Sequence, residues 1–299
     1  MRVTVGRSEL LIRQRLGALS RSLPSARAGD PSAIHQARVA TRRLREALPL
    51  VARGASGRKL ARAVRRLTRA LGSVRELDVA LLTLEELGGA ADLPRSGVEA
   101  LHQEILQERA RMHLNTGRAI ERVRLDKLTA KLVTSAKKRD KSSGRPRAAD
   151  PKQLTTARQR VARRAERLRA SIENAAAIYL PDRLHEVRIA VKKLRYAMEI
   201  VRELSGSRAT ARIMTLKRAQ DLLGRIHDFE VLIARTRATQ GSSNAPTLRV
   251  SADMDLLVRR LEAECRRLHG RYIAMRVSLL AICDYASDLR APRRRVRAA

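Results

Sequence analysis

Apolar positions recur at three- and four-residue intervals in nearly every segment of the chain, and no segment sustains the alternation of a half-buried strand. The pattern predicts an all-α protein of about eight helices. They are Ser8–Leu23, Ser32–Arg53, Gly57–Leu87, Arg95–Val133, Pro151–Leu180, Pro181–Leu204, Ser207–Thr239 and Leu248–Asp288. Two starts carry their own signals: Asp30-Pro31-Ser32 and Pro181-Asp182 set proline in a first turn beside a residue able to cap free amides. Residues 134–151 (TSAKKRDKSSGRPRAADP) are polar, cationic and rich in Ser, Gly and Pro, and read as a linker between halves 8–133 and 152–288. A second polar stretch, Gln240–Thr247, joins the last two helices. The basic end, residues 291–299, is expected to be disordered.

The two halves repeat one another. His35–Leu48 reads HQARVATRRLREAL and His185–Met198 reads HEVRIAVKKLRYAM, with His, the first Arg, an Ala, a Leu, the last Arg and a second Ala at the same offsets. A weaker pair follows each segment: Leu71–Val79 (LGSVRELDV) matches Leu223–Val231 (LGRIHDFEV) through Leu-Gly, the acids Glu76/Asp228 and Asp78/Glu230, and the final Val. The order of the two motifs is kept, which predicts two similar bundles of about four helices each, from a duplication.

At 100° per residue, His35, Arg38, Arg42 and Arg45 fall within about 80° of one another, with Ile34, Ala37, Leu44 and Leu48 on the other side. The second copy sets His185, Arg188, Lys192 and Arg195 against Leu184, Val187, Val191, Leu194 and Met198. A solvated helix face normally mixes signs so that i,i+4 pairs offset repulsion. Cations stacked without an intervening acid cost stability unless an anion binds there. The next helix adds Arg58, Arg62, Arg65 and Arg69 on one face, with Lys59 and Arg66 beside it, and Lys217 and Arg218 take the places of Arg65 and Arg66 in the second half. Further rows at Arg160, Arg163, Arg164 and Arg167, and at Arg259, Arg266 and Arg267, could converge with these on a common groove.

Composition narrows the ligand. A formal net charge of +34 argues for a polyanionic partner, since each neutralised phosphate releases counterions. With one Phe, no Trp and four Tyr, stacking on bases is nearly excluded, and single-stranded nucleic-acid binders depend on it. Cys265 and Cys283 make neither a disulfide framework nor a CxxC pattern. The histidines stand beside cations and lack an i,i+4 His partner, so neither a metal nor any other cofactor is expected. The acids Glu76, Asp78, Asp228 and Glu230 suit pairing with arginine or capping better than catalysis. Gly54-Ala55-Ser56-Gly57-Arg58-Lys59 superficially suggests a phosphate-binding loop, but lacks the four-residue spacing and the Ser/Thr after Lys, and reads as an ordinary loop. The absence of a long apolar stretch points to a soluble, cytoplasmic protein with no membrane partner.

The doubled pattern H-x-x-R-x-x-x-[RK]-[RK]-L-R resembles the CHAD family, the conserved histidine α-helical domain, and the Leu-Gly segment followed by Arg75-Glu76-Leu77-Asp78-Val79 is similar to that family's too, though Asp is more usual at Glu76. The resemblance covers roughly Ser8–Asp288, so that 1–299 is one such domain. It implies two helix bundles related by a pseudo-twofold axis around a basic central cavity, binding of inorganic polyphosphate, and localisation to polyphosphate granules. It assigns the family's histidine to His35 and His185, and its basic positions to Arg38, Arg42, Arg43 and Arg45 and to Arg188, Lys192, Lys193 and Arg195. The triphosphate tunnel domain to which the family is often fused carries E-x-E-x-K on a strand, and that motif does not occur here.

Three functions follow in order. The first is polyphosphate binding without chemistry, strengthened as pH falls towards about 6 if the histidines protonate. The second is histone-like, non-specific binding of nucleic acid. The third is a hydrolase acting on polyphosphate or a phosphoester, which would want metal-holding carboxylates or a true phosphate loop. Protein partners are unknown from sequence.

Overall fold

The computed structural model describes residues 7–51, 54–88, 95–123, 151–206, 210–242 and 246–289. These form eight helices and no strand: α1 (Arg7–Arg27), α2 (Pro31–Val51), α3 (Ala55–Gly88), α4 (Arg95–Glu121), α5 (Pro151–Ala175), α6 (Pro181–Ser205), α7 (Ala211–Gln240) and α8 (Leu248–Asp288). The all-α class is as expected. Pro151, the last residue of the expected linker, opens α5. The rest of that linker, residues 124–133 of the fourth expected helix and the basic end 291–299 lie outside the described residues.

The boundaries differ where local chemistry decides. Asp30 caps α2 as anticipated, its Oδ1 accepting the Ala33 N–H at 2.5 Å. α6 starts on Pro181 with Asp182 in its first turn, but its cap position, Leu180, is extended and makes no side-chain bond. α1 runs past Pro24 to Arg27: proline there forgoes only its own N–H bond to the carbonyl four residues earlier, and Ala28 N–H still donates to Pro24 O at 3.1 Å. α5 stops at Ala175, five residues short of the expected Leu180, where Ala176 turns to a positive φ of 48°. Gly54 makes the bend before α3 at φ 92°, and the expected loop beyond it is already helix.

Two compact units divide the chain. The first takes α1 from Glu9, α2, α3, α4, α7 from Arg225 and α8 as far as Arg267. The second takes α5, α6, α7 up to Gly224 and α8 from Leu268. In the first unit α2 packs on α3 and α3 on α4; in the second α5 packs on α6. The apolar faces predicted for α2 and α6 are the ones that pack: Ile34, Ala37, Leu44, Leu48, Leu184, Val187, Val191, Leu194 and Met198 are all buried. Each fully buried Leu, Ile or Val contributes roughly 1.5–3 kcal/mol over exposure, which fixes the rotation of both helices and turns their opposite faces outward.

Candidate functional site

In the first unit the packing of α2 on α3 leaves His35, Arg43 and Arg45 exposed and Arg38 and Arg42 half-buried. Arg38 reaches across to α3 and lies over Gly72. A Cβ at Gly72 would stand 2.5 Å from Arg38 Nη1, so only glycine admits the guanidinium at that distance. Thr41 donates to Arg38 O at 2.9 Å, and the buried Arg15 of α1 donates from Nη1 to Arg43 O at 2.8 Å. The backbone beneath the basic side chains is therefore tied within its own helix by Thr41 and to α1 by Arg15.

Arg58, Arg62, Arg65, Arg66 and Arg69 stand exposed on α3, and no ion pair involves them among the described residues. At 100° per residue Gly72 lies within about 60° of Arg69, so Arg38 sits beside the end of that row. Sequence reasoning missed Arg75. It is half-buried on α3, and its charge helps to lower the pKa of His35. Burial pulls Arg75's own pKa down, while Asp78 and Asp228 raise it and so hold the cation in place. Asp78 is itself buried, accepting from Arg109 Nε at 2.6 Å, and Arg109 Nη2 donates to Gly29 O at 2.8 Å. These acids serve the packing and the charge of the arginines. The Leu-Gly-x-x-Arg order held the signal for both Gly72 and Arg75, but a lone arginine off the basic row is not distinguished by periodicity.

In the second unit His185, Arg188 and Lys192 are half-buried on α6, and Lys193, Lys217 and Arg218 are exposed. Arg164 of α5 donates from Nη1 to Lys193 O at 2.5 Å, the same contact that Arg15 makes to Arg43. Two positions depart from the expected match. No atom approaches within 4 Å of a Cβ built on Gly224, so the notch at Gly72 has no counterpart there. Arg195, assigned with Arg45 to the phosphate-facing set, is buried: it pairs with Glu199, donates from Nε to Gln220 at 3.1 Å, and lies over the Tyr196 ring at 4.4 Å. An acid one turn on, which Arg45 lacks, draws it into the core.

Both histidines have pKa values below the ordinary 6.5. For His35, which keeps an exposed surface, partial desolvation by its neighbours is the largest cause, followed by the charges of Arg75, Arg42 and Arg38. For His185 burial again leads, then Arg188 and Lys192, with Asp182 and Glu186 opposing. Among the described residues no three His, Cys, Asp or Glu side chains stand together as a metal site, and no helix is long and apolar enough to cross a membrane. Of the remaining expected rows, Arg163, Arg167, Arg259 and Arg266 are exposed, whereas Arg267 pairs with Glu264 at 2.7 Å.

Fold and faces together define an all-helical protein that carries a histidine-led cationic helix face in each of its two compact units. The chain belongs to the CHAD domain family, which it matches over residues 10–237. In fold it is similar to the CHAD domain from the plant Ricinus communis, with a TM-score of 0.58 and 22% identity over 96% of this chain and 91% of that one. It is also similar to PptA from Streptomyces chartreusis, with a TM-score of 0.54 and 17% identity over 94% of this chain and 96% of that one. No curated protein matches it in sequence.

Proposed function

We propose that this protein binds inorganic polyphosphate on its cationic helix faces and performs no chemistry on it. The ligating set is His35, Arg38, Arg42 and Arg75 with the α3 row in the first unit, and His185, Arg188, Lys192, Lys193, Lys217 and Arg218 in the second. The observation that carries this reading is the exposed row Arg58, Arg62, Arg65, Arg66 and Arg69, without acidic partners among the described residues and bordered by Arg38 over Gly72. Like charges in such a row repel by a few tenths of a kcal/mol per i,i+4 pair, and a flexible polyanion relieves all of them together. Guanidinium forks match phosphate oxygens and need no base to read, and the chain has almost no aromatic surface on which a base could stack. In a cell the same affinity would place the protein on polyphosphate granules.

The test is a titration with long-chain polyphosphate across a range of salt, in competition with duplex DNA at matched phosphate concentration. Polyphosphate should displace DNA. Arg42→Ala combined with Lys192→Ala should lower affinity by about tenfold or more and flatten the salt slope by roughly 1.4, for two lost phosphate contacts on a flexible polyanion. Affinity that ignores salt, or an unaffected double variant, would refute the proposal. Failure to displace DNA would favour nucleic acid as the ligand, and phosphate release with added Mg²⁺ would overturn the absence of chemistry.

A further inference from the structure

Three buried polar atoms on α8, in the second unit, have no hydrogen-bond partner among the described residues: Nε2 of His269, the hydroxyl of Tyr272 and Nε of Arg276. All three side chains rise from α8 at positions i, i+3 and i+7, within about 60° of one another. That is the spacing of His35, Arg38 and Arg42, and of His185, Arg188 and Lys192, with tyrosine in place of the first arginine. Here the face is closed over. Tyr272 has no exposed surface, and His269 and Arg276 are half-buried. The ring of Tyr179, from the segment between α5 and α6, meets His269 edge-on at 5.3 Å, and the His269 and Tyr272 rings lie 6.1 Å apart. Arg276 acts electrostatically on both neighbours, lowering the pKa of each, while burial pushes the Tyr272 phenol up to about 12; no carboxylate contributes to either.

A buried hydroxyl without a partner costs about 1–3 kcal/mol, and folded proteins seldom keep one unless something meets it. An isolated arginine Nε or imidazole nitrogen carries little weight, since Arg13, Arg158 and Arg235 have the one and His102 and His113 the other. The combination is different. A phenol held in its donating form, an imidazole nitrogen able to donate and a guanidinium occupy one helix face, and such a set favours an anionic oxygen. From this arrangement we infer that His269, Tyr272 and Arg276 form a site for one small oxyanion of the phosphate class, taken either as the free ion or as the end of a polyphosphate chain. The site lies outside residues 10–237, over which the family match runs, and shares no residue with the faces on α2 and α6. It does not depend on those faces binding polyphosphate.

Tyr272→Phe keeps the ring and removes only the hydroxyl. Calorimetric titration with inorganic phosphate, using the full chain with Arg42→Ala and Lys192→Ala to weaken the exposed faces, should show one saturable site. Adding Tyr272→Phe should weaken that site roughly tenfold or more and abolish the phosphate-dependent rise in Tm. In the absence of phosphate Tyr272→Phe should be at least as stable as its parent, because it deletes an unmet polar group. Should Tyr272→Phe fail to fold, His269→Gln carries the same comparison. Competition by tripolyphosphate assigns the site to chain ends, and its failure assigns it to the free ion; either result supports the site. Equal phosphate binding with and without the Tyr272 hydroxyl, or no saturable phosphate binding in the parent, overturns it.

Discussion

Replacing Gly72 by alanine separates a face that works through geometry from one that works through charge alone. The added Cβ would stand 2.5 Å from Arg38 Nη1, where real Cβ contacts under 3.0 Å essentially never occur; the next atom, Arg38 Cζ, is 3.7 Å away. Only the guanidinium has to move, by roughly 1 Å to reach ordinary van der Waals contact, and it is the far end of a flexible side chain. Against that small cost, alanine inside a helix is about 0.5–1 kcal/mol more favourable than glycine. Gly72→Ala should therefore keep or raise the Tm while displacing Arg38 from the end of the α3 row. Losing one guanidinium contact should weaken polyphosphate binding roughly three- to tenfold and reduce the salt slope by about 0.7. Gly224→Ala is the internal control: nothing lies within 4 Å of its Cβ, so it should gain the helix stability without losing affinity. Binding measured by fluorescence anisotropy and stability by thermal unfolding decide the matter. If Gly72→Ala binds with the parent's affinity and slope, or if Gly224→Ala loses as much, Arg38 is not placed by the notch for this purpose.

Two further outcomes follow from the same contacts. Arg195→Ala removes the buried guanidinium that pairs with Glu199, donates to Gln220 and lies over Tyr196, and should destabilise the protein by about 3–5 kcal/mol, whereas Arg45→Ala, at the matching exposed position, should stay within about 0.5 kcal/mol; chemical denaturation of the two variants checks this. The lowered pKa values of His35 and His185 mean that the unfolded chain binds protons more readily, so their contribution is present above pH 6.5 and is lost as pH falls below it towards their folded values. A polyanion offsets Arg75, Arg42 and Arg38 at His35, and Arg188 and Lys192 at His185, raising both pKa values against the opposing effect of partial burial. Tm should therefore fall between pH 7 and 5.5 in the free protein and fall less with polyphosphate bound, and a parallel decline with and without ligand would contradict the placement of the histidines at the ligand.

Helix class, the buried faces of α2 and α6 and the exposure of the α3 row were legible in the sequence because burial of Leu, Ile and Val at 3.6-residue spacing sets the rotation of each helix. What was not legible depends on contacts between helices. Arg75 belongs with His35 only because α3 packs beside α2, and Gly72 matters only because Arg38 crosses to it. Arg195 looked like Arg45 by position, and only Glu199 one turn on distinguishes them. His269, Tyr272 and Arg276 escaped notice for another reason: with tyrosine in place of arginine the face is no longer a run of charge, so its periodicity matches that of an ordinary core helix.

The matched segments therefore share a scaffold more closely than a surface. Arg15 to Arg43 O and Arg164 to Lys193 O are one contact in two places, an arginine from the preceding helix tying down the backbone beneath the paired basic residues. Above that backbone the two segments differ. The first keeps Arg45 exposed, fits Arg38 into the Gly72 notch and adds Arg75; the second buries Arg195 and leaves Gly224 open. Each change removes a cation or its seat from the second face, and Asp182 and Glu186 further offset the charge around His185 but have no counterpart among the groups acting on His35. If affinity follows local positive potential, the first face should hold a polyanion more tightly than the second, and alanine at Arg42 should cost more than alanine at Lys192 although the two occupy the same place in the repeat.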